Sequence, residues 1–240
     1  MSSDPRVLIG VCTYNEASNI HSLVVRLRDA LPDADIVVID DDSPDGTASL
    51  VESISNGDAR VQLIVRKEER GLGSAIVRAA RKAVEDQYDY FLNLDADLSH
   101  DPAQLPLLLK VAVDDPDIDV VVGSRYAEGG KIVGWPLRRK IMSRTVNWFA
   151  TFFLRLPVSD CSGSMRCYRV SVLNDIDLDT LKCRGYALLE ELLVQLNHQE
   201  CKMAEVPITF TERQDGESKL TIREAVRSVT YMLRLAFSTK

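Results

Sequence analysis

Through the first half of the chain, short apolar runs alternate with stretches of helical periodicity, and each apolar run stops at polar residues. The runs are 7–12 (VLIGVC), 35–40 (DIVVID), 61–65 (VQLIV), 89–95 (DYFLNLD) and 119–124 (DVVVGS). Between them, residues 17–30, 46–55, 73–86 and 102–113 place apolar side chains along one helix face, as Ile20, Leu23, Val24 and Leu27 do. A strand that is apolar on both sides must be covered on both sides, and amphipathic helices between such strands supply the cover. The pattern therefore predicts an α/β fold with a mostly parallel central sheet and helices on both faces.

The pattern changes after Arg125. A glycine-containing loop (126–134) precedes a helical stretch that is both apolar and basic (135–157). Then come a turn and strand (159–169), a helix (185–198), a strand with alternating polarity (203–213), a loop (214–219) and an amphipathic helix (221–237). No internal repeat or low-complexity linker divides these parts. The 240 residues read as one domain, 1–240, whose halves, 7–125 and 126–240, share a sheet.

A net charge of −7 argues against a nucleic-acid partner, which would call for a basic surface. Five scattered cysteines, odd in number and without a CxxC pair, point away from a disulfide framework or a zinc site and toward a reducing compartment. The start, MSSDPR, has no signal-peptide pattern, and no stretch reaches the ~18 uninterrupted apolar residues of a membrane span.

Ligands of open α/β sheets bind beyond the carboxyl ends of the strands. Here those ends read Thr13-Tyr14-Asn15-Glu16, Asp40 through Gly46, Arg66-Lys67 with Arg70-Gly71-Leu72-Gly73, Asp95-Ala96-Asp97, and Ser124-Arg125. The glycine-containing segment is neither a Walker motif nor G-x-G-x-x-G, and close backbone packing explains it as well as phosphate binding does. Asp40 and Asp41 stand before a turn, placed to accept hydrogen bonds from a base or ribose; Ser43-Pro44-Asp45-Gly46 reads as the turn and helix cap. Asp95 and Asp97 point the same way from the end of a strand. Two like charges that close raise each other's pKa unless a cation neutralises them, and hard oxygen ligands suit Mg²⁺ or Mn²⁺ on a diphosphate. Alone, the same residues also fit a solvated turn in which Asp97 caps the next helix.

The segments TYNE, VIDDDSPDGT, RGLGSA, DADLSHDP, GSRY, GGKIVGWPLRRKIMSR, SDCSGSMRCYR and ERQDGESKL stand in an order that resembles the dolichol- or polyprenol-phosphate mannose synthases, family-2 glycosyltransferases of the GT-A fold. The resemblance spans about residues 7 to 237. It implies transfer of mannose from GDP-mannose to the phosphate of a polyprenyl (dolichyl-type) lipid with inversion, assisted by Mg²⁺ or Mn²⁺. Tyr14, Glu16, Ile39 and Asp41 would contact the nucleoside. Cys12, where the family usually has Pro, would contribute a backbone contact to the base. Asp95 and Asp97 would hold the metal, and Ala96 would lie against the nucleotide. Ser99 stands where some members carry a Gln that helps the metal. Arg125 and Arg139 would face the acceptor phosphate, with Arg125 counted among the donor-binding residues too. Arg213 and Lys219 would close on the diphosphate. The catalytic set is then Asp97, Arg125 and Arg139.

A phosphate monoester, with a second pKa near ~6, is largely dianionic at neutral pH and needs no general base. The three histidines agree: His21 and His198 fall on predicted helices, and His100 supports the loop after Asp97. Catalysis would be positioning plus charge neutralisation. Residues 135–157 mix Trp135, Trp148, Phe149, Phe152 and Phe153 with Arg138, Arg139, Lys140, Arg144 and Arg155. Helices 135–157 and 221–237 both suit a bilayer interface, core packing at the sheet edge, or a membrane-anchoring partner subunit. The expected location is the cytoplasmic face of a membrane, peripherally bound. The rival readings are a glucosyltransferase using UDP-glucose and a non-catalytic nucleotide-sugar-binding subunit.

Overall fold

The computed structural model describes residues 4–181, 183, 185, 187–213, 230–232 and 234–235. Strands β1 (Val7–Thr13), β2 (Asp35–Asp40), β3 (Val61–Val65), β4 (Tyr90–Asp95) and β5 (Val120–Ser124) form where the apolar runs predicted them. Between them lie α1 (Ile20–Ala30), α2 (Thr47–Gly57), α3 (Leu72–Glu85) and α4 (Leu105–Asp114), the last entered through a 3₁₀ turn at Pro102–Gln104. The later elements are β6 (Lys131–Val133), α5 (Leu137–Leu154), β7 (Arg166–Arg169), α6 (Val170–Asn174), α7 (Leu188–His198), β8 (Met203–Pro207) and β9 (Thr209–Thr211).

Seven strands make one sheet in the order β3-β2-β1-β4-β7-β5-β8, and β6 pairs with β9 in a separate ribbon. Within the seven, β7 alone runs antiparallel to its neighbours, β4 and β5. Side chains alternate across the sheet as the pleat requires. Leu8, Val37, Ile39 and Phe91 face one core with Ala75 and Ala79 of α3 and Leu192, Leu193 and Leu196 of α7. Ile9, Val11, Ile36, Val38 and Leu92 face the other, with Leu23 and Leu27 of α1, Val51 of α2 and Leu105 and Leu108 of α4.

Three expectations change in detail. The loop at 126–134 contains β6, because Lys131 to Val133 find partners in Thr209 to Thr211. The strand expected over 203–213 divides at Ile208. Its N–H donates to Ser124 O in the main sheet, and its carbonyl accepts from Lys131 N, so the chain crosses there from sheet to ribbon. The helix over 135–157 is confined to Leu137–Leu154, entered from Pro136 in an extended conformation and ended by Arg155 at φ 54°. The loop at 214–219, with Lys219, and most of the helix expected over 221–237 lie outside the described residues. No described helix is long and apolar enough to cross a membrane.

Candidate active site

The carboxyl ends of β1, β2, β4 and β5 bring the expected residues to one rim of the sheet. Register does this directly: Cys12 stands opposite both Ile39 and Asp95, and Thr13 opposite Asp40. Three of the loops leaving this rim contain, two or three residues past the strand end, a residue in the left-handed region: Asn15 at φ 56°, Asp42 at 55° and Leu98 at 59°. Asn and Asp tolerate that conformation better than Leu, so the Asp95–His100 turn is held by its surroundings rather than by its own preference.

Asp40 and Asp41, adjacent in sequence, do different work. Asp40 is fully buried and takes Thr13 Oγ1 at 2.7 Å, Ser43 N at 2.8 Å and Ser43 Oγ at 2.6 Å, so it fastens β1 to the turn after β2. Asp41 accepts from the guanidinium of the buried Arg66 and from Gly71 N at 2.8 Å. Arg66 in turn donates to Gly71 O and Ser74 Oγ, which shapes the start of α3. Gly71 adopts φ 132°, a conformation open to glycine and costly for other residues. Ile39 is fully buried, so the side chain offered to a nucleoside packs inward with Val37 and Leu8. Glu16 is buried too: Asn19 donates to its carboxylate at 2.8 Å, and its main-chain carbonyl receives the first amides of α1. Tyr14 lies under the Arg70 guanidinium, 5.4 Å from ring centre. Burial raises the Cys12 thiol pKa, which keeps it protonated.

Ala96 is buried between the two acidic residues. Asp97 accepts from Ser99 N at 3.0 Å, and its other oxygen lies 3.4 Å from Arg213 Nη2. Burial pushes the Asp95 carboxyl above its ordinary value, His100 opposes that rise, and the neighbouring charge of Asp97 adds to it. The donor set is two hard carboxylates at one strand end, which fits Mg²⁺ or Mn²⁺. Among the described residues no group of three or more His, Cys, Asp or Glu gathers to hold a metal ion; a cation on this pair would need a diphosphate and water to complete its shell. Ser99 is buried, its amide directed to Asp97 and its carbonyl accepting from Thr211 N.

Arg125 follows β5 and has only 7% of its side chain exposed. Its Nε and Nη2 donate to Asp160 at 2.7 and 2.8 Å, and Nη2 also reaches Ser162 Oγ at 2.7 Å. Burial opposes the charges of both partners, but each more than restores the other, so the Arg125 pKa lies above its ordinary value and that of Asp160 below. Gly130 packs against the Arg125 and Ser124 carbonyls so closely that an added Cβ would stand 2.7 Å from them. Arg139, in the first turn of α5, is half exposed; it stacks 3.9 Å over Trp135 and donates to Glu212 at 2.7 Å.

Asp160, Arg166 and Glu190 were not singled out from sequence as part of this site, and Arg66 only as the polar end of β3. Arg166 is fully buried on β7 and donates to the carbonyls of Gly163, Cys161 and Leu189. Glu190 is buried beside it, its pKa pushed up to about 7 by burial and held back by Arg166. The one available signal was that Asp160 and Arg166 stand among small and apolar residues in SDCSGSMRCYR, where unpaired charges are costly.

The sheet order, the covering helices and the paired carboxylates after β4 define an enzyme of the GT-A glycosyltransferase class. The model of glycosyl transferase family 2 matches residues 8–177, and the chain belongs to that family. It is 39% identical over 228 residues to an undecaprenyl-phosphate mannosyltransferase of Micrococcus luteus, covering 94% of this chain and 93% of that protein. It is 37% identical to a polyprenol monophosphomannose synthase of Mycolicibacterium smegmatis, covering 93% and 85%. Among solved structures, glucosyl-3-phosphoglycerate synthase from Mycobacterium tuberculosis, in complex with Mn²⁺, UDP and glucosyl-3-phosphoglycerate, superposes with a TM-score of 0.71. That match covers 98% of this chain and 80% of the other at 15% identity, and it concerns the fold.

Proposed function

We propose that the protein transfers mannose from GDP-mannose to the phosphate of a polyprenyl (dolichyl-type) lipid, at the cytoplasmic face of a membrane to which it binds peripherally. The observation that carries this reading is one of placement. The Asp95/Asp97 pair and the buried Arg125 lie at strand ends on one rim, and the Phe210 ring links His100, beside that pair, to Trp135 at the entrance of α5, an exposed apolar and basic helix. The names of the two mannosyl-transferring relatives support the sugar and the lipid class.

Asp95 and Asp97 would hold Mg²⁺ or Mn²⁺, which supplies positive charge to the departing nucleoside diphosphate. Arg213, now beside Asp97, stands in reach of a diphosphate bound at that pair. Cys12, Tyr14, Glu16, Asp41 and Ala96 border the nucleoside side, and Lys219 is assigned to the diphosphate by resemblance. Arg125 and Arg139 would hold the lipid phosphate, Arg125 through Nη1, because its Nε and Nη2 are bound to Asp160 and Ser162. An oxygen of the dianionic phosphate attacks the anomeric carbon, the bond from that carbon to the diphosphate breaks, and the configuration inverts. No proton has to be removed from the nucleophile. The buried pair with Asp160 fixes Arg125 before substrate arrives, which lowers the reorganisation needed in the transition state.

α5 gives the acceptor a route. Leu137 is 72% exposed, Trp148 62% and Phe152 64%, with Ile141, Met142 and Phe149 also open to solvent. Arg138, Lys140, Arg144 and Arg155 border them. Aromatic and basic groups together favour the bilayer interface. The test is transfer of labelled mannose from GDP-mannose to polyprenyl phosphate in detergent, with and without Mn²⁺, alongside Asp97→Ala and a parallel UDP-glucose reaction. Metal-dependent mannolipid, lost in Asp97→Ala, is the expected result. Glucolipid from UDP-glucose, or full activity in Asp97→Ala, would overturn the donor or the metal assignment respectively.

A further inference from the structure

We infer that His100 is a positioning residue for Asp95, an N–H donor that fixes the carboxylate's orientation toward a divalent cation. The inference rests on the reading of Asp95 and Asp97 as metal ligands, and it gives a role to a side chain that the transfer chemistry does not use.

His100 is 1% exposed, and among the described residues neither ring nitrogen has a hydrogen-bond partner. A hydrocarbon side chain would fill the same space without leaving two nitrogens unsatisfied. The Nδ1 atom lies 3.7 Å from Asp95 Oδ2, just beyond the ~3.2 Å limit of an N–H···O bond, so a small rotation of the carboxylate closes the contact.

The ring is not free to turn elsewhere. Phe210 meets it edge-on with centroids 5.0 Å apart, and the His100 and Phe210 backbones pair in an antiparallel bridge. The preceding carbonyl, Ser99 O, is taken by Thr211 N. The charged groups around the ring are Asp95, Asp97, Asp160 and Arg125. Among them Asp95 is the carboxylate that lies beside Nδ1, where a ring N–H can donate to it. A carboxylate that accepts at Oδ2 keeps its other oxygen for a cation, as partners of metal ligands commonly arrange.

Three variants separate this role from packing: His100→Asn places an amide N–H near the Nδ1 position, His100→Gln near Nε2, and His100→Phe keeps the ring alone. Mn²⁺ binding would be titrated by electron paramagnetic resonance in the presence of GDP, with the KM for polyprenyl phosphate and the melting temperature measured beside it. His100→Phe and His100→Gln are expected to weaken Mn²⁺ binding by about tenfold or more, the range typical of lost partners of metal ligands. His100→Asn is expected to recover most of the affinity, and the lipid KM to stay unchanged in all three. Mn²⁺ binding by His100→Phe equal to that of the unsubstituted protein would overturn the inference alone, as would equal behaviour of the Asn and Gln variants. Absence of Mn²⁺ binding by the unsubstituted protein would overturn the metal reading and this inference with it.

Discussion

Asp160→Asn isolates what the buried pair with Arg125 contributes. Asp160 is fully buried and accepts from the Arg125 amide at 3.0 Å, Arg125 Nε at 2.7 Å, Arg125 Nη2 at 2.8 Å and Gly163 N at 3.1 Å. Asparagine keeps the volume, removes the charge, and turns an NH₂ group toward donors. Arg125, with 7% of its side chain exposed, cannot regain water without moving. Breaking a buried pair from one side costs about 3–5 kcal/mol, against at most about 1 kcal/mol for an exposed pair. At about 2–4 °C per kcal/mol for a chain of this size, the melting temperature should fall by about 6–20 °C in scanning calorimetry. The double variant Arg125→Met, Asp160→Asn should recover part of that loss, because no buried charge is left alone. A loss under about 1 kcal/mol in the single variant would show that the pair behaves as a surface contact and would refute the burial argument.

Glu190→Gln should stabilise the protein in a pH-dependent way. The folded pKa of about 7 stands above the ordinary value of 4.5, so the folded state binds more protons, and stability falls as pH rises from about 4.5 to about 7. At pH 8 the variant should gain on the order of 3 kcal/mol in urea unfolding, and at pH 4 little; an equal gain at both would contradict the assigned cause. Replacing Trp148 and Phe152 by Ser should weaken sedimentation with anionic vesicles by about tenfold per residue, since burying about half of each ring in the interface contributes roughly 1–2 kcal/mol. Retained vesicle binding would return α5 to some other partner. Arg139→Ala should raise the KM for polyprenyl phosphate about ten- to a hundredfold while leaving that for GDP-mannose within about twofold, given a charge-assisted contact of about 1.5–3 kcal/mol. Equal increases in both would place Arg139 elsewhere.

The first five strands were legible because each is a local statement: an apolar run, a helix of matching period, a polar stop. Asp95 and Asp97 were legible for the same reason, as two carboxylates at the end of a buried strand. What escaped depends on distant partners. Nothing in RCYR indicates that β7 enters between β4 and β5 against their direction, and Lys131 to Val133 become a strand only because residues 209–211 pass beside them. Asp41 shows the limit at the site itself. Its sequence neighbours suggested a nucleoside contact, whereas its hydrogen bonds to Arg66 and Gly71 make it also the residue that shapes the following loop. The local signal at Asp160, a charge among small and apolar residues, called for a partner without naming the residue 35 positions earlier that supplies it.

The place of β7 has a consequence for how the chain can be made. β5 pairs with β7 and β8 and not with β4, although β4 precedes it directly in sequence. A nascent chain that has just released Ser124 from the ribosome therefore carries a strand whose neighbours in the sheet have yet to be translated. Arg125 emerges next, and Asp160, the carboxylate that offsets its burial, follows 35 residues later. The arginine assigned to the acceptor must therefore stay in water until the second half of the protein arrives to enclose it.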